Sequence, residues 1–355
     1  MASSPVVPIT ILTGFVGTGK TTLLLNLLPQ LRKLDPSYRL SMIKNEIGDL
    51  AVDSALANSA ELSSSRELLG SCICCTNVGQ LGSALEELLQ DNPDRIVIET
   101  SGSAEPIKLV VEINRLATET GRYALDGVIS VIDVQNWEGY SSTSYTAKLQ
   151  AKQTDLIVLN KWEEAGEDKL DRVLDRLGDL DVETPNVKSD KGWVNVELLF
   201  GLDRKMVKGL VKDDGHSHED GKHDHNEEME CLSIVINGSG EGDVDVQKLD
   251  ELLKKAPKDE VFRIKAIVHS KKPPIGYKDD TVEDGAFGRY ILNWSFGRHT
   301  WTKDNTTPSD APSIRMSLFL ARYESNKWTK RLESGQYISL TGTAAGTGLS
   351  VTRVL

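Results

Sequence analysis

A complete phosphate-binding motif near the start of the chain constrains its fold more than any other feature. Residues 14–21 read Gly-Phe-Val-Gly-Thr-Gly-Lys-Thr and match the pattern G-x-x-x-x-G-K-[ST]. The motif follows a short β-branched run, Ile9–Thr13, and precedes a Leu-rich segment with helical periodicity, Thr22–Lys33. A strand, a glycine-rich loop and a helix in this order predict a P-loop nucleotide-binding domain. The plain alternative is a glycine turn before a helix.

The residue types in the motif suit phosphate binding. Backbone N–H groups of the loop and the dipole at the helix N-terminus attract phosphate oxygens. We expect Lys20 to neutralise the β- and γ-phosphates and the Thr21 hydroxyl to bind Mg²⁺. The residues predicted to contact the nucleotide here are Gly17, Thr18, Gly19, Lys20, Thr21 and Thr22.

A carboxylate is predicted to complete the catalytic part of the site. Glu99 ends an apolar run, Arg95–Glu99, and is followed by Thr100-Ser101-Gly102. This placement is expected of a group that positions Mg²⁺ or water near the γ-phosphate. We therefore predict Lys20 and Glu99 as the catalytic residues, the alternative for Glu99 being a solvated strand end.

A third element indicates which base the site binds. The apolar run Leu156–Asn160 continues into Lys161, and this exit is similar to the Asn-Lys-x-Asp element of GTPases, with Glu163 at the fourth position. A carboxylate there accepts hydrogen bonds from guanine N1 and N2, which adenine does not offer in the same arrangement. Asn160, Lys161 and Glu163 therefore favour GTP, unless they form only a turn.

Three clustered cysteines predict metal or redox chemistry. Cys72, Cys74 and Cys75 are three of only four cysteines, and their spacing is too close for an ordinary disulfide framework. They precede an amphipathic segment, Val78–Gln90, so the thiols lie near a helix N-terminus, where thiolates are stabilised. Thiolates suit Zn²⁺, Cu⁺ or Co²⁺. A redox couple and buried inert thiols are the alternatives.

A histidine-rich acidic segment offers a second group of metal ligands. Residues 212–230 show no hydrophobic periodicity and carry four of the six histidines: His216, His218, His223 and His225. Such tracts bind Zn²⁺, Co²⁺ or Ni²⁺ weakly and reversibly. A solvated linker without a metal role is the alternative.

The pattern of apolar runs predicts two domains. Up to residue 211, strand-like and helix-like runs alternate, which predicts an α/β P-loop NTPase domain with a mostly parallel sheet. After the linker 212–230, residues 231–338 read as strands around a helix and predict a smaller α+β domain. Residues 339–355 form a tail without an assignment.

Composition limits the classes of partner. With 355 residues and 39% hydrophobic residues, the chain can bury a sizeable core. Its net charge of -12 argues against generic nucleic-acid binding. No apolar run approaches the roughly 20 residues of a bilayer span, and the N-terminus has no basic region or cleavage site, so we expect neither a membrane role nor secretion but a cytoplasmic protein.

Several of these motifs occur together in one known order. In chain order they are ITILTGFVGTGKTTLL, Asn45-Glu46-Ile47-Gly48, ELLGSCICCT, IVIETSGSAEP and Asn160-Lys161. This set resembles the CobW-like family of P-loop GTPases that act as metallochaperones, with zinc-regulated GTPase metalloprotein activators as the nearest branch. Ile47 and Glu163 depart from the family's usual Phe and Asp.

The resemblance implies a function and further site residues. It implies a GTP-hydrolysing metallochaperone that uses GTP, Mg²⁺ and Zn²⁺ and delivers zinc from the Cys-x-Cys-Cys site to a client metalloprotein. It also makes Glu46 a metal-site candidate in a switch loop. A cobalt or cofactor-assembly GTPase, a zinc buffer with a vestigial nucleotide site and an ATP-dependent kinase or redox enzyme are the alternatives, and self-association is left open.

Overall fold

The structure is a computed structural model in which two compact units can be described. The units are Met1–Met206 and Val207–Leu355. The described residues are 6–44, 64–67, 78–100, 105–137, 150–203, 205–206, 229–237, 243–277, 288–295, 297–304, 312–344 and 346–354.

The first unit alternates strands and helices. Its strands are β1 Val7–Thr13, β2 Leu40–Lys44, β3 Ser64–Glu67, β4 Arg95–Glu99, β5 Tyr123–Asp133, β6 Leu156–Asn160 and β7 Asn186–Lys188. The helices among its described residues are α1 Lys20–Leu34, α2 Val78–Leu89, α3 Pro106–Thr120, α4 Trp162–Ala165, α5 Glu167–Asp179 and α6 Val196–Leu199.

These seven strands form one sheet in which every neighbouring pair is parallel. The order is β3-β2-β4-β1-β5-β6-β7. The predicted parallel sheet is therefore confirmed. Because parallel strands all end at the same edge, the last residues of β1, β4, β5 and β6 are brought side by side there: Thr13, Glu99, Asp133 and Asn160.

Strands β1, β2, β4, β5 and β6 are rich in apolar residues that can be buried on both sides of the sheet. Every residue of β2, β4 and β6 is buried, as expected when helices cover a parallel sheet. Helices α2 and α3 bury Leu85 and Ile113 against Ile9 and Ile96, and α5 buries Val173 in a separate cluster of the same unit. This apolar packing fixes the strand ends that carry polar side chains.

A buried polar network lies at the start of β4, away from those strand ends. Arg95 is fully buried, and its guanidinium donates to Asp126 Oδ2 at 2.6 Å and to Gly201 O at 2.6 Å. The Tyr38 hydroxyl donates to Asp203. Burial, together with the neighbouring Asp203 carboxylate, raises the pKa of Tyr38 well above its ordinary value. The network ties the segment after α6 to the sheet.

In its described residues, the second unit consists of an antiparallel sheet and two helices. Its elements are β8 Met229–Ile236, α7 Val246–Lys255, β9 Val261–Ser270, β10 Gly288–Ser295, β11 Arg298–Asp304, β12 Ile314–Ala321, α8 Ser325–Glu333 and β13 Leu349–Arg353. The strand order is β11-β10-β9-β12-β8-β13, and all neighbouring pairs are antiparallel. The predicted α+β class is confirmed.

Buried aromatic residues join the helices of this unit to its sheet. Trp294 and Trp328 are fully buried in one core cluster with Leu252 and Leu332. The Trp294 indole donates to Leu253 O at 2.8 Å, so its N–H is satisfied inside the core. The side chains of α7 and α8 that enter the cluster therefore close one face of the sheet.

Several elements went beyond the sequence prediction. Strand β5 spans 11 residues from Tyr123, and strands β3 and β7 are only four and three residues long, too short to show an apolar period. Strand β13 lies in the Ser- and Thr-rich tail and pairs with β8. None of the helices in the described part of the chain has the length and apolarity needed to cross a membrane.

Candidate nucleotide site

The phosphate loop connects β1 to α1 at the carboxyl edge of the parallel sheet. Gly14 has a φ of 138°, and a Cβ atom there would lie 2.4 Å from the carbonyl oxygen of Val131 in β5. Only glycine fits this close approach. Gly17 also has a positive φ, 78°, but no atom lies within 4 Å of the Cβ position. The loop is therefore in close contact with the sheet at Gly14, whereas there is free space around Gly17 at its tip.

Lys20 is folded into the loop that precedes it. Its ammonium donates to Gly14 O at 3.0 Å and to Phe15 O at 3.2 Å, and only 3% of the residue is exposed. The Thr18 hydroxyl donates to Phe15 O at 3.0 Å. The cation therefore lies within the curve of backbone that surrounds phosphates in P-loop proteins.

Thr21 and Glu99 meet across the sheet edge. The Thr21 hydroxyl donates to Glu99 Oε1 at 2.9 Å, and Glu99 is fully buried. Beside them, the Thr100 hydroxyl donates to Thr13 Oγ1 at 2.9 Å. A hydroxyl and a carboxylate oxygen side by side are hard oxygen ligands of the kind that Mg²⁺ prefers, so the residues fit that ion. The predicted pair is brought together.

Asn160, the last residue of β6, is held from two sides. Its amide nitrogen donates to Thr18 O at 2.8 Å, and its amide oxygen accepts from the Ser189 hydroxyl at 2.7 Å. Asn160 is 4% exposed and Ser189 is 2% exposed. The amide therefore links the segment after β7 to the phosphate loop.

Lys161 also contacts the phosphate loop. Its ammonium donates to Gly17 O at 2.7 Å and to Asp133 Oδ2 at 2.8 Å. Asp133 is 2% exposed and also accepts from the backbone and side-chain nitrogens of Asn136 at 3.2 Å and 3.1 Å. The buried carboxylate thus holds the cation over the tip of the loop.

Glu163 lies on α4 and contacts the turn after β7. Its Oε1 accepts from the backbone N–H of Lys191 at 2.6 Å. The same turn approaches α1, because a Cβ at Gly192 would lie 3.2 Å from Thr22 Cγ2. The predicted base-recognition residues and Thr22 therefore surround one turn.

The structure adds two candidate functional residues, Asp133 and Ser189, that were not predicted from the sequence. Asp133 ends an apolar strand as Glu99 does, and that shared position is a signal from which it could have been found. Ser189 lies just beyond the three-residue strand β7, which has no apolar pattern of its own. Neither residue belongs to a motif that the sequence analysis identified.

The residues predicted to bind the transition metal form a separate set from the Mg²⁺ ligand Thr21. Cys72, Cys74, Cys75, Glu46, His216, His218, His223 and His225 all lie outside the described residues. Among the residues that are described, no group of three or more His, Cys, Asp or Glu side chains could hold a metal ion. Cys231 is buried in β8, and its thiol donates to Leu232 O at 3.9 Å.

The fold and this site define a P-loop nucleotide-binding protein: a glycine loop with its Lys and Thr, at the carboxyl edge of a parallel sheet, opposite a buried carboxylate. Residues 8–188 match the family described as the CobW/HypB/UreG nucleotide-binding domain. The chain belongs to this family, and the resemblance read from the motifs is confirmed.

Several relatives of the chain carry names that refer to zinc. It is 31% identical over 211 residues to the zinc chaperone YjiA of Escherichia coli K12. The aligned region covers 58% of this chain and 64% of YjiA, so the chain spans slightly less than two thirds of that relative. It is 27% identical over 323 residues to the zinc chaperone CobW of a Sinorhizobium species, covering 79% of this chain and 89% of the relative. A zinc-regulated GTPase metalloprotein activator of Schizosaccharomyces pombe is 32% identical over 163 residues, covering 44% and 39%.

Proposed function

We propose that the chain hydrolyses GTP and uses the cycle to bind zinc and deliver it to a client metalloprotein. Membership of the CobW/HypB/UreG family supports the GTPase part, and the names of the zinc-chaperone relatives support the cargo. The observation that carries the proposal is the contact between the Thr21 hydroxyl and the buried Glu99 carboxylate beside Lys20.

Each of these side chains has a defined task in hydrolysis. Lys20 neutralises phosphate charge from inside the loop, and Thr21 with Glu99 would hold Mg²⁺, which would supply further charge neutralisation. The buried Glu99 carboxylate also orients the attacking water, because it lies at the strand end facing the loop. Positioning and charge stabilisation are the main sources of catalysis in phosphoryl transfer.

Guanine is the base that this arrangement favours. Asn160 and Lys161 are fixed against the phosphate loop by bonds to Thr18 O and Gly17 O. Glu163 supplies the carboxylate that accepts hydrogen bonds from guanine N1 and N2. Glu163 Oε1 already accepts from the Lys191 N–H, and adenine would leave the remaining acceptor sites of the carboxylate without donors, which is costly in a partly buried site.

The cargo site is proposed from the sequence and the relatives. Cys72, Cys74 and Cys75 offer thiolates to zinc, with Glu46 as a further ligand. His216, His218, His223 and His225 form a weaker reservoir that concentrates the ion. Three thiolates leave one tetrahedral position, which is available to Glu46, to water or, during transfer, to a ligand from the client.

Coupling between nucleotide and zinc is the central test. If γ-phosphate contacts order the segments that carry Glu46 and the cysteines, GTP and zinc strengthen each other's binding, because linkage is reciprocal. We expect zinc affinity to be higher with a non-hydrolysable GTP analogue than with GDP or without nucleotide. Equal zinc affinity in all three states would refute the coupling.

Two variants separate the proposal from a zinc buffer with a vestigial nucleotide site. Lys20→Ala is expected to abolish GTP turnover, whereas Lys33→Ala, on the exposed end of the same helix, keeps it. Cys74→Ser is expected to weaken zinc binding while GTP binding persists. Wild-type protein without measurable GTP turnover would instead support the buffer.

A further inference from the structure

Glu163 replaces the aspartate expected at the fourth position of the base-recognition element. Its side chain is one methylene longer, and this length allows a specific contact. Its carboxylate reaches the backbone N–H of Lys191 at 2.6 Å. The side chain of Glu163 is half-buried, and the bond is short and joins a charged acceptor to a backbone donor. Such charge-assisted bonds are roughly twice as strong as neutral ones.

The turn that supplies this N–H is fixed by backbone hydrogen bonds. Asp190 and Trp193 exchange two backbone hydrogen bonds, at 2.9 Å and 2.7 Å, around Lys191 and Gly192. Both central residues have positive φ, 47° and 80°, as in the tight two-residue turns that join antiparallel strands. Buried Gly192 packs against Thr22 of α1, the helix that carries the phosphate loop.

The same segment also fixes the other side chain of the element. Ser189 donates its hydroxyl to Asn160 Oδ1 at 2.7 Å, and its carbonyl accepts from the Trp162 indole at 2.6 Å. Residues 189–193, which we name the base-site turn, therefore hold Asn160 through a hydroxyl and Glu163 through an amide.

We propose that the base-site turn sets nucleotide specificity by positioning Glu163, and that glutamate, not aspartate, is the residue that matches it. The proposal rests on guanine recognition by Glu163. Shortening the side chain by one methylene withdraws its oxygens by about 1.5 Å, the length of one C–C bond, and breaks the bond to Lys191. The carboxylate then loses the orientation that a bidentate contact to guanine needs.

Glutamine at position 163 separates length from charge. Glu163→Gln keeps the length and an oxygen that can accept from Lys191, but it replaces the second carboxylate oxygen with an NH₂ donor. That donor opposes the guanine 2-amino group and matches the 2-oxo group of xanthine. The glutamine variant should therefore transfer its preference from guanine to xanthine nucleotides.

The experiment measures the dissociation constants of fluorescent GDP, XDP and ADP for the full chain and its variants. We expect Glu163→Asp to weaken GDP binding by about tenfold or more while ADP binding changes little. We expect Glu163→Gln to weaken GDP binding and to strengthen XDP binding. Glu164→Asp, the same change at an exposed neighbour on α4, is the matched control and should leave all three constants unchanged.

The outcomes distinguish this proposal from the function on which it rests. Wild-type protein that binds ADP as tightly as GDP would refute guanine recognition itself. If Glu163→Asp preferred GDP over ADP as strongly as wild type or more strongly, only the role of the base-site turn would be overturned. If the aspartate variant does not fold, Glu163→Gln decides: unchanged GDP preference overturns the proposal. Ser189→Ala is also expected to weaken GDP binding more than ADP binding. A purely structural role of Ser189 would weaken the binding of both nucleotides equally.

Discussion

Thr21 donates its hydroxyl to the Glu99 carboxylate at 2.9 Å, although 78 residues separate the two in the chain. The bond joins the first turn of α1 to the last residue of β4, and β4 lies directly beside β1 in the sheet. The side chain that the motif assigns to Mg²⁺ and the carboxylate at the strand end thus form one oxygen-rich corner, next to the Lys20 ammonium.

Glu99→Gln should remove most of the GTPase activity. The glutamine oxygen can still accept from Thr21, so the fold is retained, but the charge that would hold Mg²⁺ and orient water is lost. We expect turnover to fall by about 10²-fold or more and the Mg²⁺ concentration at half-maximal activity to rise. Steady-state turnover measured across a Mg²⁺ titration checks this.

The control for that substitution is Glu164→Gln, which removes a carboxylate from an exposed position of α4. It should leave turnover unchanged. A Glu99→Gln protein with turnover within about twofold of wild type would show that this carboxylate does not serve the chemistry.

Asp133→Asn should weaken nucleotide binding through Lys161. Asp133 holds the Lys161 ammonium at 2.8 Å while that ammonium contacts Gly17 O at 2.7 Å. Because the neutral amide makes a weaker bond to the cation, we expect the GDP dissociation constant to rise about fivefold. Fluorescence titration with labelled GDP measures it.

A double-mutant cycle tests whether the effect passes through Lys161. In a Lys161→Met background, Asp133→Asn should change GDP affinity by less than about twofold, because the cation is gone. An unchanged fivefold effect in that background would mean that Asp133 acts on the nucleotide by another route.

Much of this site was within reach of sequence reasoning because local patterns determined it. The phosphate motif predicted Lys20 and Thr21, and the ends of apolar runs predicted Glu99 and Asn160, because parallel strands end at one edge. Strands β4 and β6 have the predicted bounds, Arg95–Glu99 and Leu156–Asn160.

The remaining contacts depend on tertiary structure. Ser189 follows a strand of three residues, and it meets Asn160 only because β7 pairs with β6. The bond between Glu163 and Lys191 spans 28 residues and requires the turn to fold back on α4. Neither contact leaves a periodic signal, so no pattern in the sequence could have predicted it.

Gly14→Ala should destabilise the first unit far more than Gly17→Ala. The Cβ of the first variant would lie 2.4 Å from Val131 O, so the backbone must shift, whereas the Cβ of the second meets nothing within 4 Å. We expect losses of about 2–3 kcal/mol for Gly14→Ala and about 1 kcal/mol for Gly17→Ala, the latter from its positive φ alone. Urea denaturation measures both, and equal losses would contradict the close approach.

Tyr38 should contribute stability that disappears at high pH. Its pKa is raised in the folded chain by burial and by Asp203, so the folded state keeps the proton that the unfolded state releases above its ordinary pKa of 10.0. The contribution is fully present below pH 10 and is lost as pH rises through the folded-state pKa, by up to about 1.4 kcal/mol per pH unit.

The measurement compares the unfolding free energies of wild type and Tyr38→Phe across this range. Phenylalanine keeps the ring but has no proton to lose, so the difference between the two proteins should be constant below pH 10 and should shrink above it. A difference that stays constant up to about pH 11 would show that the hydroxyl does not titrate differently in the folded chain.

The bond from Asn160 to Thr18 O joins residues 142 positions apart, and the bond from Ser189 to Asn160 adds a further 29. During synthesis, the phosphate loop therefore leaves the ribosome long before the residues that complete its base site. A nascent chain that ends before β7 carries the motif but not the turn that positions Asn160 and Glu163. Under the proposed role of Asn160 and Glu163, selective nucleotide binding is therefore a property of the finished first unit, acquired only after more than half of the 355 residues have been synthesised.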